Sequence, residues 1–178
     1  MIERDGVAAA TFEAVGKQAG YSRALASVRF GSKDGMVRAV IEFLAARLEA
    51  RIAFRIGTIE SPLERIMSYA DAMLSEVEQD RLLRAYFVMM AGAVGHRSDT
   101  QAVFLSVHDS VRETLRVMIA DGQGAGEIDS ALDANIVALS IGSLQLGISV
   151  ELLLDPEMDM SAMRRTVNAA ILRILKAE

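Results

Sequence analysis

Stretch after stretch of this chain repeats apolar side chains at three- and four-residue spacing, the period of an α-helix with one buried face. Met36, Val37, Val40, Ile41, Leu44, Leu48 and Ile52 form one such stripe, and Leu63, Ile66, Met67, Ala70, Met73, Leu74 and Val77 form another. A third runs through Val103, Phe104, Val107, Val111, Leu115, Met118 and Ile119, and a fourth through Met163, Val167, Ala170, Ile171, Ile174 and Leu175. Strand signals are scarce, only two prolines interrupt the chain and aromatics make up 5% of it, so the expected fold is all-α. The 178 residues suffice for one small and one moderate domain and can bury a real core.

The shortest elements lie in residues 11–40, TFEAVGKQAGYSRALASVRFGSKDGMVRAV. Thr11 can cap a short helix carrying Phe12, Val15 and Ala19 on one face, and Gly20 supplies a permissive backbone for a turn. Ser22 can cap a second helix running to about Arg29, in which Leu25 and Val28 can point inward while Arg23, Ala24, Ser27 and Arg29 stay exposed. Two short helices joined at a glycine turn and followed by a third form a helix-turn-helix, whose second helix is the candidate DNA reader.

These residues resemble the TetR family of bacterial regulators. The likeness is in order as well as content: Ala19-Gly20-Tyr21-Ser22-Arg23 at the turn, then Phe30-Gly31-Ser32-Lys33-Asp34 leading into the next helix. The resemblance implies that Arg23, Ala24, Ser27, Val28 and Arg29 face the major groove and that Lys33 meets a phosphate. Thr11 and Ser22, at the two helix starts, complete the expected DNA-binding set. The chemistry agrees, because arginine can bond guanine edges in a bidentate manner, small side chains admit close approach to thymine methyls, and lysine neutralises backbone charge. Arg23 and Arg29 are the leading candidates for base contact. Many family members carry tyrosine where Ser27 stands and histidine near Val28 or Arg29, so phosphate contact is expected to be built differently here. The resemblance also implies a full helix before Thr11, whereas only Met1-Ile2-Glu3-Arg4 precede Asp5-Gly6. With that helix mostly missing, the inward faces at Phe12, Val15 and Leu25 are expected to lose apolar cover, at about 1.5–3 kcal/mol per side chain of that class.

Asp34 to about Ile56 reads as one long helix closed by Gly57, so the expected division is a head with its connecting helix at 1–56 and a body at 57–178. Ser61-Pro62-Leu63-Glu64 combines a serine cap, proline at the first helical position and glutamate three residues after the cap. On the helix that follows, Glu64, Arg65, Ser68, Asp71, Ser75 and Glu76 are expected mainly on the wet side. About Asp80 to Val94 is almost wholly apolar, and Ser98 can cap the next long helix, with His108 at the border of its stripe. Gly122-Gln123-Gly124-Ala125-Gly126 looks like a dinucleotide-binding loop, but no strand precedes it and its third glycine is displaced. It is better read as a helix end before Glu127-Ile128-Asp129, which resembles a turn common in the family. Leu132 to Leu154 is apolar nearly all round, with Gly142 and Gly147 allowing close approach, and Asp159 or Ser161 starts a last helix to about residue 176. A helix apolar on every side needs cover on every side. A second copy packed about a twofold axis through 132–154 and 159–176 supplies it, the arrangement the resemblance implies; a monomer burying both helices is the alternative.

Charge is split along the chain. Residues 1–56 hold nine Lys and Arg against six Asp and Glu, a balance of +3, while the remainder carries −8 of the total −5. A mildly basic head on an acidic body suits a regulator whose second part does not touch DNA. No cysteine is present, which excludes disulfides and thiol chemistry. Met1 to Ala10 lacks the apolar core of a secretory signal, and the charge-free run Ala134 to Val150 falls short of the roughly 20 apolar residues that span a bilayer, so a cytoplasmic protein without membrane contact is expected. His96 and His108 are the only histidines. They form no metal-ligand pair, and no serine stands in a nucleophile elbow, so neither an enzyme nor a cofactor is expected.

The expected function is a dimeric regulator, most simply a repressor, that binds a pseudo-palindromic DNA operator and is released by a small-molecule effector. Thioethers and aromatics suit an adaptable apolar cavity, so Met67, Met73, Tyr86, Phe87, Met89, Met90, Phe104 and His108 are the ligand candidates. The rival reading is a helical dimer that binds a small molecule or a protein and has lost DNA affinity through its shortened head.

Overall fold

The computed structural model describes residues 6–96 and 99–176. Among them every regular element is helical: a 3-10 turn at Val7–Ala9, then α1 (Phe12–Ala19), α2 (Arg23–Phe30), α3 (Lys33–Ile56), α4 (Pro62–Gln79), α5 (Arg81–His96), α6 (Gln101–Gly124), α7 (Ala134–Leu154) and α8 (Met160–Leu175). The expected all-α class holds. The shortened first helix at Met1–Arg4 and the cap at Ser98 lie outside the described residues.

Local signals placed most helix ends. The Thr11 hydroxyl accepts a hydrogen bond from the Ala14 N–H at 3.1 Å, and Ser22 does the same for Leu25 at 3.1 Å. Gly20 ends α1 in the left-handed region at φ 74°. Gly16 is a glycine for a different reason: a Cβ there would lie 2.8 Å from the Tyr21 carbonyl oxygen, so only a bare backbone lets the turn fold this close to α1. Asp133 caps α7 through bonds from the Asn135 and Ile136 N–H groups. Of the two candidate starts for the last helix, Asp159 is the cap, accepting from Ala162.

The chain forms two compact units, Met1–Arg47 with Arg81–Val107, and Leu48–Asp80 with His108–Glu178. Helices α3 and α6 each contribute residues to both. In the first unit α1 packs on α2. Its buried side chains include Ala26, Met36, Ile41 and Leu44 from the head helices and Leu83, Phe87, Met89 and Phe104 from α5 and α6. One expectation fails in this unit, because α2 turns Ala26 inward (7% exposed) and leaves Leu25 at 50% and Val28 at 84%. Apolar spacing on an eight-residue helix does not fix its rotation, and a close crossing accepts a methyl group where leucine would hold the helices apart.

In the second unit α4 packs on both α7 and α8, and α7 packs on α8. Ile66, Leu74, Ile119, Ile141, Leu152, Ile171 and Leu175 are buried there. Because α4 is covered on several sides, Ser75 and Glu76 are not on a wet face as expected but are 4% exposed each. Ser75 accepts a hydrogen bond from Gln79 at 3.0 Å. Glu76 meets the guanidinium of Arg51 at 2.8 Å and that of Arg55 at 3.9 Å, and Arg51 also reaches Asp80 at 3.2 Å. Opposing arginines make a buried carboxylate tolerable.

The start of α4 also departs from the sequence reading. Ser61 caps Glu64 as expected, but the carboxylate that completes the cap comes from Glu127, whose Oε2 accepts from the Ser61 hydroxyl at 2.6 Å and the Leu63 N–H at 3.0 Å. Those two bonds hold the Glu127 carboxyl below its usual value of 4.5. Gln123 braces the same turn by donating to the Asp129 and Leu132 carbonyls at 3.0 and 2.8 Å.

Helix α7 spans 21 residues and contains an 18-residue stretch with a mean hydropathy of 1.8, long and apolar enough by length and composition to cross a membrane. Its inward side is packed and partly polar: the Gln145 amide donates to the Ala70 carbonyl at 3.1 Å, and the Ser149 hydroxyl to the Gln145 carbonyl at 2.8 Å. Ile136, Leu139 and Leu154 are exposed along the same helix, as is Leu172 on α8.

Candidate nucleic-acid interface

The two serine- and threonine-capped helices build a surface from side chains that the caps themselves orient. Capping fixes the first turn of α2 immediately after Ser22, so Arg23 and Ala24 emerge at its amino-terminal end, where a reading helix meets base edges. Arg23, Ala24, Val28 and Arg29 are exposed and Ser27 is half-buried. Thr11 and Ser22 are exposed as well, with their hydroxyl oxygens engaged in the caps. Lys33 is exposed at the start of α3, and its ammonium donates to the Ala8 carbonyl at 3.1 Å. The first unit is electropositive: its described residues hold eight Lys and Arg against four Asp and Glu. That balance suits a polyanion.

Two exposed residues were missed by sequence reasoning. Tyr21, in the turn between α1 and α2, is 63% exposed, and its place inside the Ala19–Arg23 motif was the available signal. Leu25 carried no signal that would have separated it from a core leucine.

The ligand candidates divide between the units. In the first, Tyr86, Phe87, Met89 and Phe104 are buried and Met90 is half-buried. Tyr86 stands edge-on to Phe87 and to Phe104, with ring centroids 5.3 and 5.1 Å apart, the geometry that aromatic quadrupoles favour. Burial pushes the Tyr86 phenol well above its usual range, so it stays a neutral hydrogen-bonding group. In the second unit Met67, Met73 and His108 are half-buried, and burial holds the His108 imidazole below 6.5, favouring its neutral form. A cavity of about 530 Å³ opens in the first unit, walled by Val15, Phe30, Val40, Phe43 and Leu82 with Gln18 and Arg81 as its polar members; none of the ligand candidates lines it. No cluster of three or more His, Asp or Glu side chains able to hold a metal occurs among the described residues.

Residues 1–40 match the family model described as bacterial regulatory proteins of the tetR family, and residues 62–176 match that of the BetI-type transcriptional repressor C-terminal region. Among curated proteins no sequence matches significantly. Solved structures do. A TetR-family transcriptional regulator from Rhodococcus sp. superposes with a TM-score of 0.84 at 18% identity, covering 98% of this chain and 92% of that one. The regulator FadR from Bacillus subtilis, solved with stearoyl-CoA, gives 0.85 at 16% identity over 97% and 92%. The ketosteroid transcriptional regulator KstR2 of Mycobacterium tuberculosis gives 0.73 at 20% identity over 100% and 90%.

Proposed function

Because this chain belongs to the TetR family of bacterial transcriptional regulators, we propose that it acts as a homodimeric repressor that leaves its operator when a small molecule binds the helical body. The observation that carries the proposal is the capped pair α1 and α2, which presents Arg23, Ala24, Val28 and Arg29 from an electropositive unit. Arg23 takes base edges at the amino-terminal end of α2, and Arg29 and Lys33 take base or phosphate positions beside it. Paired through α7 and α8, two copies would set their reading helices one DNA turn apart, about 34–36 Å, on a pseudo-palindromic site in the cytoplasm. An effector that binds better to a form with a different head spacing would lower DNA affinity without any catalytic step.

The effector is a mainly apolar molecule held by aromatic and thioether side chains. Support comes from the edge-on cluster of Tyr86 and Phe87 on α5 with Phe104 on α6, beside Met89 and Met90, also on α5. Two similar structures point the same way: one holds stearoyl-CoA and the other is named for ketosteroids.

A DNA-binding titration over a range of salt concentrations tests the assignment. Arg23→Ala is expected to relax base choice, whereas Lys33→Ala weakens all sequences alike and reduces the salt slope by about one. Indifference to both substitutions would sink the reading face. Ligand binding without any DNA affinity would favour the rival reading, a helical binding module.

A further inference from the structure

We propose that the centre of the α2 face reads thymine through its methyl group, with Val28 as the contacting side chain and Ala24 as the gap that lets the helix come close. The operator half-site then carries thymine at its middle. This rests on the regulator reading above and goes beyond it by naming the base and the chemistry of its recognition.

Successive residues of a helix are rotated by about 100°. Ala26, 7% exposed, marks the inward direction of α2. Ala24 and Val28, two positions to either side, each stand about 160° from it and form the crest, with Leu25 and Ser27 about 100° away on the flanks. Arg23 and Arg29 start about 60° from the inward direction, nearer the protein than Leu25 and Ser27, and their long side chains run outward past the flanks to solvent, where both residues are exposed. The part of α2 that would enter a groove deepest therefore carries no hydrogen-bonding group. It offers one methyl from Ala24 and two from Val28, which is 84% exposed, beside Leu25 at 50%.

An apolar crest discriminates strongly among bases. The thymine C5-methyl is the apolar feature of the major-groove edges; the other edges are donors and acceptors. A valine pressed on those polar atoms would strip their water and return no hydrogen bond, while a valine on a methyl buries apolar surface on both sides. The branched Val28 side chain has few rotamers on a helix, so its methyls are already fixed when contact is made. The two arginines remain available to guanine at the half-site flanks and to phosphates.

The test uses the full chain and a duplex selected by it from a randomised pool. Each thymine of the selected half-site is replaced singly by deoxyuridine, which keeps both hydrogen-bonding edges and lacks only the methyl, and Kd is measured for the native protein and for Val28→Ala. One or two central positions are expected to lose about fourfold in affinity, as burial of one methyl-sized group implies. Val28→Ala, at a solvent-facing site that does not disturb the core, is expected to bind more weakly and to lose the dependence on that methyl. A native protein indifferent to deoxyuridine at every thymine, or a Val28→Ala variant that keeps the full native penalty, would overturn the thymine assignment while leaving specific DNA binding intact. A pool from which no sequence is enriched would overturn the regulator reading and this one together.

Discussion

At Asp71 a carboxylate, a guanidinium and an amide converge. Arg164 donates two hydrogen bonds at 2.6 and 3.0 Å and Asn168 one at 3.3 Å, and the Arg164 bonds, ahead of the opposing effect of burial, hold the carboxyl below its usual 3.8. With the folded value depressed, the unfolded chain takes up a proton first as the pH falls. The contribution to stability is therefore complete above 3.8 and lost as the pH drops toward the folded value. Asp71→Asn should lower stability at neutral pH by about 1–2 kcal/mol and flatten the decline in acid, read as urea midpoints across that window. Glu76 carries the lesson of this scale about legibility. Periodicity assigned it to a wet face, because periodicity describes one helix and not the number of neighbours around it. The arginines that neutralise it, Arg51 and Arg55, stand on a different helix.

Elements were legible where their signals are local. A cap is decided within four residues, so Thr11, Ser22, Ser61 and Asp159 were readable, and each accepts the backbone bond its type favours. The rotation of α2 was not readable. It depends on the surface of α1, where Gly16 permits a close approach, and the turn of a helix about its own axis leaves no mark on its residue spacing. Helix α2, the proposed reading helix, is only eight residues long, below the length at which a helix stands alone in water, so it relies on its cap and its packing. Thr11→Ala and Ser22→Ala should each cost about 1 kcal/mol in denaturant unfolding. The Ser22 variant should also weaken DNA binding more than the Thr11 variant, because its cap orients the contacting side chains.

Across the whole molecule, the family models divide the chain at 1–40 and 62–176, while the compact units interleave and pass through α3 and α6. Sequence divides a chain only by order; packing can return a later helix to an earlier neighbourhood. The apolar cover demanded by Leu132 to Leu154 was legible from composition, but its source was not, and in one chain Ile136 is 59%, Leu139 50% and Leu172 38% exposed. Under the proposed dimer these side chains meet a second copy. Leu139→Glu combined with Leu172→Glu should leave a folded monomer by sedimentation, with operator affinity reduced at least about tenfold because two half-sites can no longer be held together. A dimer that survives both charges would remove α7 and α8 as the interface.

The carboxylate of Glu127 closes the start of α4 from 66 positions along the chain. Such a contact cannot form while α4 folds locally; it must wait until the intervening residues have closed the loop between Ser61 and Glu127. The Ser61–Glu127 contact is therefore expected to form late in folding, after the local Ser61–Glu64 cap. Glu127→Ala should leave the refolding rate nearly unchanged and accelerate unfolding, so that the loss appears in the unfolding arm of a chevron plot. On that outcome the bond is a clasp on the finished molecule, lengthening the time it stays folded rather than hastening its arrival.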